Sequence, residues 1–400
     1  MNWRNALYLA VRSLAWYRGR AVTIVLCLAL TLWLPVTVRL LLNQFREDIV
    51  ARAVATPLIV GARGSRIDLA LHGLYFESVS PDQTTMSETS YIQNTGFATP
   101  IPIHVQYRTQ SVNHVAGVPI VGTTVEYFEF RELGVAKGHG LSMLGDCVVG
   151  CDVAARMKLG PGDRILSAPR NAFDLAGNYP LKMNIVGVLA PSHSPDDNVV
   201  FVDIKTAWII DGIGHGHQAL KDADDAVLLE KTDTNVTASA AVLPFTEITA
   251  DNIDSFHFHG DEDTFPISAV IAKPSSRKNR TLLLGRYLTE RRDVAQCVKP
   301  TGVVQDLLNI VFRVERLVWL SSLLSATVTA LLLALVLSLS IRLRAAELQT
   351  MHKLGCSRWT ITVLISTEFL MMCAAGILIA VTGAWLTSVV AADGLKSLLF

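Results

Sequence analysis

The sequence predicts an α-helical integral membrane protein with three spans and a large mixed α/β domain inserted between the first and second spans. Half of the 400 residues are apolar, and the mean hydropathy is positive, where a soluble chain of this length is normally more polar. The apolar excess collects in three runs, at residues 21–42, 317–341 and 369–390. Residues 43–316 instead alternate short apolar segments with polar turns.

Each apolar run is long enough to cross a membrane, because about 20 helical residues at about 1.5 Å each cover roughly 30 Å of hydrocarbon. The first run is too long for a secretory signal, and the nearest small-residue site, residues 53–55, comes well after it. We therefore expect a retained membrane anchor.

The charges beside the spans predict the orientation, because positively charged short loops stay in the cytosol. The N-terminal 20 residues and residues 342–368 are both predicted to be cytosolic. Residues 43–316 and the tail at 391–400 then lie outside, which in a bacterium is the periplasmic side of the inner membrane. The charged residues that decide this are Arg4, Arg12, Arg18 and Arg20 before the first span, and Arg342, Arg344, Lys353 and Arg358 against the single acid Glu347 after the second.

Glu368 interrupts the last apolar run. A carboxylate deep in lipid costs several kcal/mol, so we expect Glu368 at the cytosolic boundary and the span itself at residues 369–390. Ser357 is predicted to cap a separate interfacial or cytosolic helix that ends at Glu368.

Residues 43–316 are large enough for one domain or two subdomains. Strands are predicted at "PLIVGA", "CVVG" and "MNIVGVLA", and helices at "CDVAARMKL" and "IKTAWIID", which together indicate a mixed α/β fold. Three cysteines fall in this domain, Cys147, Cys151 and Cys297. An oxidising compartment would permit one disulfide among them, and three pairings are open.

The motifs of common catalytic sites are absent from the sequence: it has no P-loop, no G-x-S-x-G and no H-E-x-x-H. We therefore predict a non-catalytic chain. Two His-x-His pairs remain, at His215 and His217 and at His257 and His259. In an extended chain each pair places both imidazoles on one face, so the two pairs could supply four zinc ligands. The alternative is solvated loop histidines.

The stretch from Arg342 to Thr360, "RLRAAELQTMHKLGCSRWT", resembles the cytosolic segment of MacB/FtsX-type ABC transporter permeases, the type VII or mechanotransmission family. The N-terminal "LYLAVRSLAWYRGRAVTIVLCLAL" is similar to their amphipathic cytosolic helix, here residues 1–20, and first span. "LIVGARGSRIDLALHGLYF" and "VVGCDVAARMKLGPGDRI" resemble their periplasmic core. The resemblance assigns ATPase coupling to residues 342–368, on Arg344, Glu347, Leu348, Met351, Lys353, Leu354, Gly355, Ser357, Arg358 and Glu368.

The resemblance implies a permease subunit that binds two copies of a cytosolic ATPase and a second permease copy, identical or different. ATP and Mg would be bound by the ATPase, the substrate would be a lipoprotein, peptide or drug, and a periplasmic adaptor or outer-membrane protein is a further expected partner. No nucleic-acid partner is expected. In this picture Gly355 ends one helix and Ser357 starts the next, and Arg344, Lys353 and Arg358 pair with acidic groups of the ATPase.

Two other functions stay open at this point. One is an FtsX-like scaffold that activates a periplasmic cell-wall hydrolase, and the other is a binding module that carries zinc on its histidine pairs. Relatives in the resembled family usually have a fourth span. Its absence here fits a short natural form, a truncated sequence, or a helix supplied by a partner.

Overall fold

The computed structural model describes residues 3–76, 82–168, 180–216, 228–231, 236–238, 245–291 and 293–399. These residues form two compact units. We call residues 3–48 with 306–399 the helical unit, and residues 49–305 the sheet unit. His217 is the one predicted site residue that lies outside the described part of the chain.

The described residues form eleven α-helices, of which α2, α9 and α11 are by far the longest. In chain order they are α1 Trp3–Trp16, α2 Arg18–Ala55, α3 Arg66–Tyr75, α4 Ser87–Thr95, α5 Val125–Arg131, α6 Cys151–Met157, α7 Ile204–Ile210, α8 Arg277–Thr289, α9 Pro300–Leu343, α10 Ala345–Lys353 and α11 Arg358–Leu399.

Sixteen strands belong to the sheet unit within the same described residues. They are β1 Leu58–Ala62, β2 Thr84–Thr85, β3 Ala98–Arg108, β4 Pro119–Thr123, β5 Val135–Gly138, β6 Asp146–Val149, β7 Arg164–Leu166, β8 Lys182–Leu189, β9 Val200–Asp203, β10 Gly214–Gly216, β11 Leu228–Lys231, β12 Val236–Ala238, β13 Phe256–Phe258, β14 Pro266–Ile267, β15 Ala269–Pro274 and β16 Ala295–Val298.

Ten of the strands form one mixed sheet in the order β16-β1-β15-β3-β4-β9-β6-β8-β5, with β7 paired to β8. The pairs β4–β9 and β6–β8 are parallel, and the other neighbours are antiparallel. Short ribbons pair β10 with β13, β11 with β12, and β14 with β2. The predicted mixed α/β domain is therefore present.

The strands are short apolar runs because both faces of the sheet are covered. In β6, Val149 packs into one buried cluster and Val148 into another. In β9, Val200 and Phe201 divide between the same two clusters. A strand with only one buried face would alternate apolar and polar residues instead.

A buried ion pair joins α2 to the loop before β9 within the sheet unit. The two Nη atoms of Arg52 donate to the two carboxylate oxygens of Asp196 at 2.6 and 2.9 Å, and Tyr127 Oη donates to Asp196 Oδ1 at 2.7 Å. Burial raises the pKa of Tyr127 to about 12. Burial would also raise the pKa of Asp196, but Arg52 and Tyr127 outweigh it and hold that pKa below its usual value.

Among the residues that the structure describes, three helices are long and apolar enough to cross a membrane: Arg18–Ala55, Arg316–Leu343 and Arg358–Val390. The predicted runs at 21–42, 317–341 and 369–390 lie inside them. The prediction of a separate helix from Ser357 to Glu368 is wrong, because α11 continues without interruption through Glu368 to Leu399. The chain does not need to break there, since Glu368 is paired with arginines.

The long helices of the helical unit meet through small and hydroxyl-bearing residues. A Cβ added at Gly376 on α11 would lie 2.8 Å from Leu28 Cβ on α2, so this crossing requires glycine. Thr31 Oγ1 lies 3.0 Å from Thr329 Oγ1 on α9, and Trp33 Nε1 donates to Thr387 Oγ1 on α11 at 3.3 Å. Such contacts are typical of helices that pack in a membrane.

Candidate functional site

The segment from Arg342 to Thr360 forms a tight hairpin between α10 and α11. Gly355 has a φ of +98°, which favours glycine. Its N–H donates to His352 O at 3.0 Å and the N–H of Cys356 donates to Met351 O at 3.1 Å, the two bonds of a Schellman motif. Ser357 Oγ accepts from the N–H of Thr360 at 3.2 Å. The predicted helix end at Gly355 and helix start at Ser357 are confirmed.

Glu368 is the buried carboxylate at the base of this hairpin, with 3% of its side chain exposed. Arg344 Nη1 donates to its two oxygens at 3.0 and 3.3 Å, and Arg20 Nη2 donates to Oε2 at 3.4 Å. A buried carboxylate without a partner would cost several kcal/mol. The two arginines, from the α9–α10 junction and from α2, make this position tolerable.

Glu347 and Tyr17 extend the contacts toward solvent. Tyr17 Oη donates to Glu347 Oε1 at 2.6 Å, and Arg344 Nε donates to Glu347 Oε2 at 3.3 Å. The hydrogen bond between the two side chains raises the pKa of Tyr17 and lowers the pKa of Glu347. Both guanidinium groups face the Tyr17 ring, that of Arg344 at 5.0 Å and that of Arg20 at 5.3 Å from its centroid, within cation–π range.

We call Tyr17, Arg20, Arg344, Glu347 and Glu368 the arginine–carboxylate network. It connects the start of α2 to the α9–α10 junction, to α10 and to α11, all within the helical unit. A small cleft runs beside it. The apolar side chains that line this cleft with the network are Leu337, Ile341, Leu348, Ile365 and Met372.

The other predicted coupling residues divide into two groups. Leu348 and Met351 are half-buried on α10, whereas Lys353, Leu354, Gly355, Ser357 and Arg358 are exposed at the hairpin tip. Leu354 is 81% exposed before the turn, and Trp359 is 76% exposed after it. The tip therefore presents two large apolar side chains next to two basic ones.

Arg344 was predicted to pair with a partner protein together with Lys353 and Arg358. The structure uses Arg344 internally, since its guanidinium contacts both Glu347 and Glu368. Tyr17 and Arg20 were missed as site residues, because more than 300 residues separate them from their partners. The one available signal was the acid in the third apolar run, which required a basic partner.

Three of the four predicted zinc ligands lie together in the sheet unit. His215, His257 and His259 each offer one candidate ligand atom, and these three atoms lie within 4.8 Å of one another. The fourth, His217, is outside the described residues.

Cys147, Cys151 and Cys297 are free thiols in the structure. Cys147 is in β6 and Cys297 is in β16, six strand positions apart in the sheet, which is about 29 Å at 4.8 Å per strand. A disulfide needs Cα atoms within about 7 Å, so the sheet order rules out that pairing. The pairings of Cys151 with Cys147 and of Cys151 with Cys297 stay open predictions.

No protein-family model and no curated protein matches the sequence. Solved structures do match parts of the fold. The periplasmic region of MacB from Actinobacillus actinomycetemcomitans aligns with 65% of this chain and 98% of its own length, at 11% identity and a TM-score of 0.37. The extracellular domain of the ABC-type transporter YknZ from Gram-positive bacteria aligns with 60% of this chain and 98% of its own, at 10% identity and a TM-score of 0.35.

A domain of a putative permease protein from Porphyromonas gingivalis aligns with 60% of this chain and 86% of its own length, at 12% identity and a TM-score of 0.28. At these identities and TM-scores the likeness concerns the fold. The three matched structures are domains of MacB, of an ABC-type transporter and of a putative permease.

Proposed function

We propose that this chain is the permease subunit of a MacB/FtsX-type ABC transporter in the bacterial inner membrane. It couples ATP hydrolysis by a separate cytosolic ATPase to movement of its α/β domain on the periplasmic side. The substrate is a periplasmic or outer-leaflet molecule such as a lipoprotein, a peptide or a drug. The observation that carries the proposal is the α10–α11 hairpin, which is held at its base and exposes an apolar and basic tip.

The hairpin tip has the chemistry of a protein-binding surface. Leu354 and Trp359 are both largely exposed, and the basic residues Lys353 and Arg358 flank them in the sequence. Buried aromatic and aliphatic anchors supply most of the affinity of protein interfaces, and surrounding charges set orientation and association rate. An ATPase surface with an apolar groove and acidic rim would complement this tip.

The base of the hairpin is suited to transmit force. Arg344 is bonded to Glu347 on α10 and to Glu368 on α11, and Arg20 connects Glu368 to α2. A displacement of the tip is therefore carried to several long helices at once. Such coupling requires that the ATPase contact the tip differently in its two nucleotide states, and the resembled family implies two ATPase chains and two permease copies.

The test is co-purification of the ATPase with the full-length permease from its native host, through a tag on the permease. Leu354→Asp and Arg358→Glu change the tip alone. Leu288→Asp is the matched control, because Leu288 is 72% exposed in α8 of the sheet unit. Mass spectrometry identifies any bound chain with a P-loop, and ATP hydrolysis is measured on the eluted complex.

We expect the wild type and the Leu288→Asp variant to retain an ATPase, and the two tip variants to lose at least about 10-fold of it, which corresponds to about 1.4 kcal/mol. Full retention in both tip variants would refute the coupling role of the hairpin. Capture of a cell-wall hydrolase, with hydrolysis of cell wall rather than substrate transfer as the output, would favour the FtsX-like scaffold.

A further inference from the structure

We propose that His215, His257 and His259 form a binding site for one divalent transition-metal ion, of which Zn²⁺ is the first candidate. The site belongs to the sheet unit, whereas the hairpin residues belong to the helical unit. It does not depend on the proposed transport function.

The site is built on the two-stranded antiparallel ribbon of β10 and β13. His215 on β10 is directly opposite His257 on β13, and side chains in opposite positions have Cβ atoms about 4.5–5.5 Å apart on one face. His259 follows His257 by two residues, the spacing that returns to the same face of an extended chain. Three imidazoles thus reach one side of the ribbon.

The distances are close to those that a metal ion requires. The three ring centroids are 4.9, 5.1 and 4.8 Å apart, and one candidate ligand nitrogen from each ring lies within 4.8 Å of the others. Tetrahedral Zn²⁺ with bonds of about 2.05 Å places its ligand atoms about 3.4 Å apart. Side-chain rotations that move each nitrogen by less than about 1.5 Å would bring the three nitrogens to this separation.

The opposite face of the ribbon holds it in place. Phe256 and Phe258 pack against the buried clusters of the sheet unit. A Cβ at Gly214 would lie 2.6 Å from the Phe258 ring, and one at Gly216 would lie 2.6 Å from the Phe256 ring. The glycines on either side of His215 therefore leave room for the two phenylalanine rings on one face of the ribbon. The imidazoles lie on the opposite face.

One ring nitrogen of His257 is held by the backbone. Its Nδ1 lies 3.0 Å from Ser255 O, and because a carbonyl oxygen can only accept, Nδ1 carries the proton. The lone pair is then on Nε2. Metal-binding histidines commonly donate their second ring nitrogen to a carbonyl in this way, which fixes the tautomer and the ring orientation.

Three imidazole nitrogens define the class of ion. They suit Zn²⁺, Cu²⁺ or Ni²⁺, whereas Mg²⁺ and Ca²⁺ require mainly oxygen ligands. His215 and His257 are half-buried and His259 is exposed, and among the described residues these three histidines leave one position of a tetrahedral site open. An open position of this kind is occupied by water or by a ligand group of a bound molecule.

The experiment uses the full-length chain, purified in detergent through a tag without histidine and stripped with a chelator. Co²⁺ is the probe, because its visible absorption reports a tetrahedral nitrogen site, and Zn²⁺ is added in competition. The variants are His257→Ala, which removes the oriented ligand, and His259→Gln, which changes an exposed residue outside the strands and leaves the fold intact. His139→Ala, an exposed histidine elsewhere in the sheet unit, is the control.

We expect one equivalent of Co²⁺ to bind the wild type and the His139→Ala variant, Zn²⁺ to displace it, and Zn²⁺ to raise the melting temperature of both. Each site variant should lose at least about 100-fold in affinity, because loss of a direct ligand exceeds the effect of an outer-shell change. The proposal is overturned by absence of stoichiometric binding to the wild type, or by His259→Gln and His257→Ala variants that bind as the wild type does.

Discussion

Each unit contains a buried carboxylate that is paired with arginine, and the two pairings have different geometries. In the sheet unit Arg52 contacts both oxygens of Asp196 at 2.6 and 2.9 Å, and the hydroxyl groups of Tyr127 and Ser194 also donate to Asp196. In the helical unit Glu368 accepts from two arginines at 3.0 to 3.4 Å. The first is a bidentate pair with one arrangement, and the second is a carboxylate shared between two donors.

The difference indicates which cluster can rearrange. Arg52 and Asp196 are both buried and satisfy each other, so that separating them would leave two unpaired charges. Arg344 instead divides its donors between Glu347 and Glu368, and Arg20 can retain Glu368 when Arg344 moves. We expect a closed bidentate pair to hold one arrangement, whereas a carboxylate shared between two arginines keeps one of them when a helix moves. The proposed force transmission requires the second property.

The largest expected effect is that of Asp196→Asn in the sheet unit. The amide keeps the shape but leaves the Arg52 charge buried without its counter-ion, which costs about 3–5 kcal/mol. Thermal unfolding of the detergent-solubilised chain, with limited proteolysis to follow residues 49–305, measures it. Asp254→Asn, at an exposed residue of the same unit, is the control, and equal stability of the two variants would contradict the assignment.

Glu368→Gln in the helical unit should cost less, about 1–3 kcal/mol. The glutamine oxygen still accepts a hydrogen bond, and both arginines retain some access to solvent, with 20% of Arg20 and 13% of Arg344 exposed. The measurement is the same thermal unfolding, with proteolysis of residues 306–399 as the local readout. A loss of stability as large as that of Asp196→Asn would show that the Glu368 cluster also holds a single arrangement, as the Arg52–Asp196 pair does.

The two arginines of the shared carboxylate should differ from each other. Arg344→Gln removes contacts to both Glu347 and Glu368 and should cost about 1–2 kcal/mol. Arg20→Gln removes one contact of 3.4 Å and should cost less than about 1 kcal/mol. The double variant tests the sharing: a loss larger than the sum of the two single losses is expected, because each arginine compensates for the other. Strict additivity would contradict sharing.

The sequence predicted some of these features and could not predict others, for physical reasons. The spans were predictable because length and hydropathy are local properties. Gly355 and Ser357 were predictable because helix ends carry local signals. The order of the sheet was not, since it depends on pairings between distant strands such as β1 with β16.

The partners of Glu368 were also not predictable from the sequence, because they come from distant parts of the chain. The sequence indicated that Glu368 had to avoid lipid, and the expected solution was a helix that stops beside it. The chain instead keeps α11 intact and brings Arg20 from 348 positions away. The meeting of His215 with His257 and His259 was likewise only a hypothesis until the register of β10 and β13 aligned them.

The smallest expected effect is a pH-dependent one at the solvent side of the helical network. The pKa of Glu347 is lowered below its ordinary 4.5 by the hydrogen bond from Tyr17 and by Arg344. A lowered carboxyl pKa stabilises the fold fully above about pH 4.5 and is lost as the pH falls through the folded value. Tyr17→Phe removes the first of these partners, so we expect its melting temperature to be about 1 °C below wild type at pH 7, with a difference that shrinks as the pH falls below 4.5. Tyr8→Phe, at an exposed tyrosine of α1, is the control at neutral and at acid pH.

A difference in melting temperature between Tyr17→Phe and wild type that stays the same at acid pH would contradict this prediction. It would mean that the Tyr17 ring stabilises the network through its contacts with the guanidinium groups of Arg20 and Arg344. The solvent side of the arginine–carboxylate network would then be held by these ring contacts and not by the charge of Glu347.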